Sequence, residues 1–123
     1  YKKRLDMKLV CLNLWCGRVF PELIDFLKKE AETTDIFCFQ EVLGTNTEKI
    51  ALDGLRLNLF SELVSALPSF NPYMSPAQER FVLTDNLVDF DLDFGLASFV
   101  RKGIKAQVRD FFVYGKRNGM IRA

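Results

Sequence analysis

Histidine is missing from all 123 residues, and this absence bounds the function more tightly than any residue present. Imidazole is the usual general base near neutral pH, so serine-triad and papain-like chemistry are excluded within this chain. Catalysis has to rest on carboxylates, on a metal, or on groups supplied from elsewhere. Cysteine is scarce: Cys11, Cys16 and Cys38 form no Cys-x-x-Cys pair, and without histidine they are too few for a zinc site. An odd number of cysteines, two of them in expected core strands, fits small-hydrophobe packing in a reducing, cytoplasmic compartment. No apolar run approaches the roughly 18 residues of a membrane span, and the start Tyr1-Lys2-Lys3-Arg4-Leu5-Asp6 leads into no signal-type segment. Repeats and low-complexity stretches are absent too.

Charge of one sign is also lacking. The net charge of +1 gives no push toward long nucleic acid. The exception is residues 101–123, where seven basic side chains face one acid, Asp110. A phosphate-facing surface and lysines guarding an edge strand explain that run equally well.

What is present is a soluble globular composition, 49% hydrophobic and 27% charged. A chain of this length suits one domain, 1–123, and buries about two-thirds of its unfolded surface. The stretch Asp35-Ile36-Phe37-Cys38-Phe39-Gln40-Glu41-Val42 reads as a strand buried on both faces. Burying the Glu41 carboxylate would cost several kcal/mol, order of magnitude, unless it is paired or binds a cation. The alternative is a solvated Glu41 just past the strand end, paired with a lysine.

Residues 7–14 read as an earlier core strand, with Leu9, Cys11 and Asn13 on one face and Val10, Leu12 and Leu14 on the other. Trp15-Cys16-Gly17-Arg18 turns the chain into a helix opened by Pro21 and Glu22, with Leu23, Ile24, Leu27 and Ala31 as its apolar stripe. Strand, helix and strand with short joints predict a parallel, right-handed βαβ unit. Asn13 and Glu41 then share the carboxyl end of the sheet, where open α/β folds bind ligands.

Further along, residues 44–47 read as a loop, 48–52 as a short helical piece and 55–67 as a helix burying Leu55, Leu59, Leu63 and Leu67. Residues 69–78, with Pro72 and Pro76, read as a non-helical connection, and its Tyr73 either lines a cleft or packs in the loop. Asp89, Asp91 and Asp93 alternate with apolar residues in a strand over 87–94. They are no EF-hand, because positions six and twelve are Phe94 and Val100. Residues 95–101 predict another strand, 104–114 its hairpin partner, and 120–123 the start of one more.

The Asn13 strand Lys8-Leu9-Val10-Cys11-Leu12-Asn13-Leu14-Trp15, the Pro21-led helix and the Gln40-Glu41 strand together resemble the opening of the endonuclease/exonuclease/phosphatase superfamily. Phe94-Gly95-Leu96-Ala97-Ser98-Phe99-Val100-Arg101-Lys102 is similar to that family's next core strand. The resemblance implies the amino-terminal half of a DNase I-like domain: half of a four-layer α/β sandwich, with a mixed sheet that begins as βαβ. It further implies a Mg2+- or Mn2+-dependent phosphodiesterase or phosphoesterase, with Glu41 as metal ligand and Asn13 placing metal or scissile phosphate. Implied substrates are phosphate esters, from small diesters and phosphoinositides to sphingomyelin-type lipids and DNA.

The family's Asp-x-Asn pair cannot be placed in this sequence, and its histidine motifs are ruled out by composition. The expectation is therefore a truncated hydrolase domain, inactive alone. The alternative is a non-catalytic half-domain that associates through its uncovered sheet, for example as a homodimer.

Overall fold

A computed structural model of the chain describes residues 6–45, 51–52, 54–78 and 92–109. The elements in order are β1 (Leu9–Asn13), α1 (Phe20–Glu30), β2 (Ile36–Thr45), β3 (Ala51–Leu52), β4 (Leu55–Arg56), α2 (Leu59–Ala66), β5 (Phe70–Gln78) and β6 (Leu92–Arg101). Four strands form one sheet in the order β1-β2-β6-β5, and β3 pairs with β4 in a separate ribbon. β1 and β2 are parallel, from Leu9 opposite Ile36 to Asn13 opposite Gln40. β6 runs antiparallel to both β2 and β5. The fold is mixed α/β with the expected βαβ start.

α1 forms where Pro21 pre-sets the first turn, Glu22 meets the positive end of the dipole and Lys28 and Lys29 meet the negative end. Its buried Leu23 and Leu27 join Leu59, Leu63 and Leu67 from the α2 segment over Phe37, Phe39 and Phe99 of the sheet. The rings of Phe37 and Phe39 lie 5.4 Å apart, and those of Phe39 and Phe99 5.7 Å apart. Each fully buried ring contributes about 1.5–3 kcal/mol by its removal from water. This helix-covered face is the core.

The opposite face is open in part: Leu43 and Val100 on it are buried, Leu43 against Cys16, Leu57 and Leu92, while other positions are exposed. Leu9 is 55% exposed and Leu96 38%, and Cys11 and Asn13 are exposed as well. Two expectations change accordingly. β2 is not buried on both faces: Phe37 and Phe39 are buried, while Ile36, Cys38 and Gln40 are half-buried. Cys11 lies in a strand but outside the core.

Other elements depart from the sequence reading for identifiable reasons. Gly44 and Thr45 extend β2 instead of looping, because β6 continues beside them with Gly44 opposite Asp93 and Thr45 opposite Leu92. Ala51 and Leu52 are a strand, and Leu55 and Arg56 pair with them around Gly54, so α2 starts only at Leu59. Gly54 has φ 81°, as a tight hairpin turn requires.

Residues 70–78 form the edge strand β5. Pro72 and Pro76 are four apart, so both nitrogens point the same way along the strand. An edge strand has one side of its backbone free of any ladder, and proline fits there. Residues 104–109 form no strand, because β6 already pairs on both sides. The expected elements over 46–50, 87–91, 110–114 and 120–123 lie outside the described residues.

Candidate functional site

β1 ends at Asn13, and the parallel ladder runs one step further through the Leu14 N–H, which donates to the Gln40 carbonyl at 2.9 Å. The chain then reverses through Trp15, Cys16 and Gly17, with φ of 50°, 51° and 78° in succession. The left-handed region costs an L-residue roughly 1–2 kcal/mol, so something must hold Trp15 and Cys16 there. The Trp15 N–H donates to Asn13 Oδ1 at 2.9 Å, and the Gly17 N–H donates to the Leu14 carbonyl at 2.8 Å. Gly17 has no substitute: a Cβ there would lie 2.6 Å from Cγ of Arg56. The turn buries Cys16 against Leu43, Leu57 and Leu92 and leaves Trp15 58% exposed, with the Arg18 guanidinium 5.5 Å from its ring centre.

The neighbouring strand carries a β-bulge. Phe39 lies opposite Ala97 and Val42 opposite Gly95, so Gln40 and Glu41 together oppose Leu96. Glu41 has φ 56°. Phe39 and Val42 both enter the helix-side core although they are three residues apart, and the bulge absorbs the odd step. In a regular strand Glu41 would alternate toward the helices. The extra residue breaks that alternation at Gln40 and Glu41, with Gln40 opposite Asn13.

The two residues singled out from the sequence are thus brought together, with Asn13 opposite Gln40 and Glu41 next in line. One detail is corrected. Glu41 is not at the strand's end, since β2 continues to Thr45, and it is half-buried within the bulge. Among the described residues no ion pair to Glu41 forms.

Glu41 and the turn also interact electrostatically. Burial pushes the Cys16 thiol up to about 11; the Glu41 carboxylate adds to the rise and Arg18 opposes it. Cys16 therefore stays a neutral thiol beside the acid.

One carboxylate and two carboxamides are carried at neighbouring backbone positions at this end of the sheet. They are hard oxygen donors of the kind Mg2+ accepts alongside water and phosphate oxygens. Among the described residues no group of three or more His, Cys, Asp or Glu side chains could hold a metal, so these residues would supply at most part of a divalent ion's shell. Asn13 Oδ1 accepts the Trp15 N–H.

Sequence reasoning passed over Gln40 as a site residue, and the strained Trp15-Cys16 turn as well. The signal for the bulge lies in the apolar spacing, which is two from Phe37 to Phe39 and then three to Val42. Tyr73 stands elsewhere, half-buried on β5 opposite Ser98. Of the carboxyl-terminal basic run, Arg101 is structural: its guanidinium donates to the Ala31 and Thr34 carbonyls. Lys102, Lys105 and Arg109 are exposed.

No family model matches the chain, and no curated protein matches it in sequence. Among solved structures it is similar to an endonuclease/exonuclease/phosphatase family protein from Leptotrichia buccalis C-1013-b, with TM-score 0.55 and 25% identity over 82% of this chain. The match spans 39% of that chain, so the residues here correspond to part of such a domain. The four-stranded mixed sheet with its two helices is the α/β architecture expected of half a DNase I-like fold.

Proposed function

We propose, on the premise that this chain carries part of an endonuclease/exonuclease/phosphatase fold, that it contributes one side of a metal-dependent phosphoester or phosphodiester hydrolase site. The observation that carries the reading is a coincidence of strain. All three non-glycine residues with positive φ among the described residues, Trp15, Cys16 and Glu41, meet at one end of the sheet. Such strain persists only where the surroundings impose it, and it collects at functional sites.

Glu41 would hold Mg2+ or Mn2+, which when bound neutralises charge on a phosphoryl oxygen. The Asn13 NH2 group would donate to a phosphate oxygen, and its Oδ1 anchors the strained turn. Gln40, opposite Asn13, borders the same position. The water-activating base is assigned to groups outside these residues, because the sequence has no histidine. A charge of +1 favours a compact phosphate ester over long nucleic acid.

The decisive experiment is Mn2+ titration of the 123-residue chain, followed by electron paramagnetic resonance. One weak site, abolished in Glu41→Gln, is expected; equal binding by both proteins would overturn the assignment. Hydrolysis of a chromogenic phosphodiester by this chain alone should be negligible. The open sheet face with exposed Leu9 and Leu96 supports a second reading, a self-associating half-domain, for which sizing chromatography would show a dimer.

A further inference from the structure

Cys11 and Cys38 are direct Cα partners in the parallel pair of β1 and β2. Both belong to the face turned away from the helices, with Cys11 exposed and Cys38 half-buried. Neighbouring strands about 4.8 Å apart fall within the roughly 4.4–6.8 Å Cα window of a disulfide. The Cβ atoms of directly opposed residues keep about that strand spacing, beyond the usual 3.5–4.5 Å or so. A bond there forms under strain, and strained disulfides are the readily reduced ones.

We propose that Cys11 and Cys38 form a reversible dithiol–disulfide pair, a redox modification site on the open face, oxidised by exchange with a small-molecule disulfide. In the first step the exposed Cys11 thiolate attacks one sulfur of RS–SR, forming Cys11–S–SR and releasing RS⁻. In the second, the Cys38 thiolate attacks Cys11 Sγ, closing Cys11–S–S–Cys38 and releasing a second RS⁻. The two cysteine protons end on two RSH, so the small disulfide is reduced by the two electrons the cysteines lose.

Ser98 lies directly across from Cys38 on β6. Cys16 takes no part, since it is buried in the turn against Leu43. The bond would close two residues before Asn13 and Gln40, on the strands that carry the candidate phosphate site. The inference does not depend on that site being hydrolytic.

The test is incubation of the full 123-residue chain with oxidised glutathione, with thiol counting after denaturation and peptide mapping by mass spectrometry. The free-thiol count should fall from three to one, with the linkage mapped to Cys11 and Cys38 and reversed by dithiothreitol. Cys38→Ser should stop at the Cys11–glutathione mixed disulfide. A wild-type count that stays at three, a mixed disulfide that never closes, or a linkage through Cys16 would each overturn the proposal. Mapping the wild-type protein needs no variant, so a substitution that fails to fold leaves the test intact.

Discussion

Asn13 and Gln40 face each other as the last register pair of the parallel strands, and Glu41, the next residue, occupies the left-handed region at φ 56°. The regular parallel ladder sets the carboxamide pair, and Glu41 follows it where the strand takes one residue more than its antiparallel partner. The sheet therefore gives up ladder regularity and backbone ease at this position.

Glycine relieves the left-handed penalty and alanine keeps it, so Glu41→Gly should be more stable than Glu41→Ala by about 1 kcal/mol. Urea unfolding followed by circular dichroism measures the difference. Both variants should lose Mn2+ binding equally, which separates backbone strain from side-chain chemistry. If alanine were as stable as glycine, residue 41 would not be held in the left-handed region in solution.

Asn13 has two tasks, and two substitutions separate them. Asn13→Ala leaves the Trp15 N–H without its acceptor and should cost about 1 kcal/mol. Asn13→Asp keeps that acceptor, so stability should stay within about 0.5 kcal/mol of the parent, the range of a change that breaks no contact. The aspartate also sets a second carboxylate beside Glu41, and Mn2+ should bind several-fold more tightly. Weaker Mn2+ binding in Asn13→Asp would mean that the two side chains do not face a common ion.

How far the site could be read in advance depends on which physical rule governs each residue. Local alternation governs β1, and the split of Leu9, Cys11 and Asn13 from Val10 and Leu12 is what the structure shows. The βαβ unit followed from short joints and a proline-led helix. Side-chain pattern is a poor guide to β5, where proline compatibility depends on whether the strand is an edge, which is a property of the whole sheet. The same holds for residues 104–109: a hairpin partner was reasonable from the Lys102-Gly103 turn, but β6 was already paired on both sides. Glu41 lies between these cases. Its place at the same end of the sheet as Asn13 is legible from the repeated strand unit, whereas its place within a bulge shows only as one odd apolar interval.

Arg101 ties the end of α1 to the far side of the sheet. Its Nε and Nη2 donate to the Thr34 carbonyl at 3.0 and 2.7 Å, Nη2 also reaches the Ala31 carbonyl, and the guanidinium stands 4.8 Å from the Phe70 ring centre. Lysine carries the charge but not the planar fork, so Arg101→Lys should cost about 1.5–3 kcal/mol, nearly as much as Arg101→Met. Thermal unfolding would register the loss. A lysine variant as stable as the parent would show that charge alone holds the α1 terminus.

The Cys16 thiol supplies a pH dependence with a definite sign. Its ionisation moves from 9.0 in the reference state to about 11 in the fold, chiefly through burial and secondarily through the Glu41 carboxylate. The folded state therefore holds the proton more tightly than the unfolded state, and the resulting stability is whole below pH 9 and lost as pH rises through about 11. Glu41→Gln removes the carboxylate's share, so Cys16 should ionise at lower pH in that variant, and the alkaline loss of stability, which still begins near pH 9, should be smaller and complete at lower pH. Iodoacetamide labelling of Cys16 across pH 8–11, as an approximate range around the free thiol value, in a Cys11→Ser/Cys38→Ser background reads the shift directly. An identical labelling profile with and without the Glu41 carboxylate would mean that the acid points away from the turn, which would take the metal site with it.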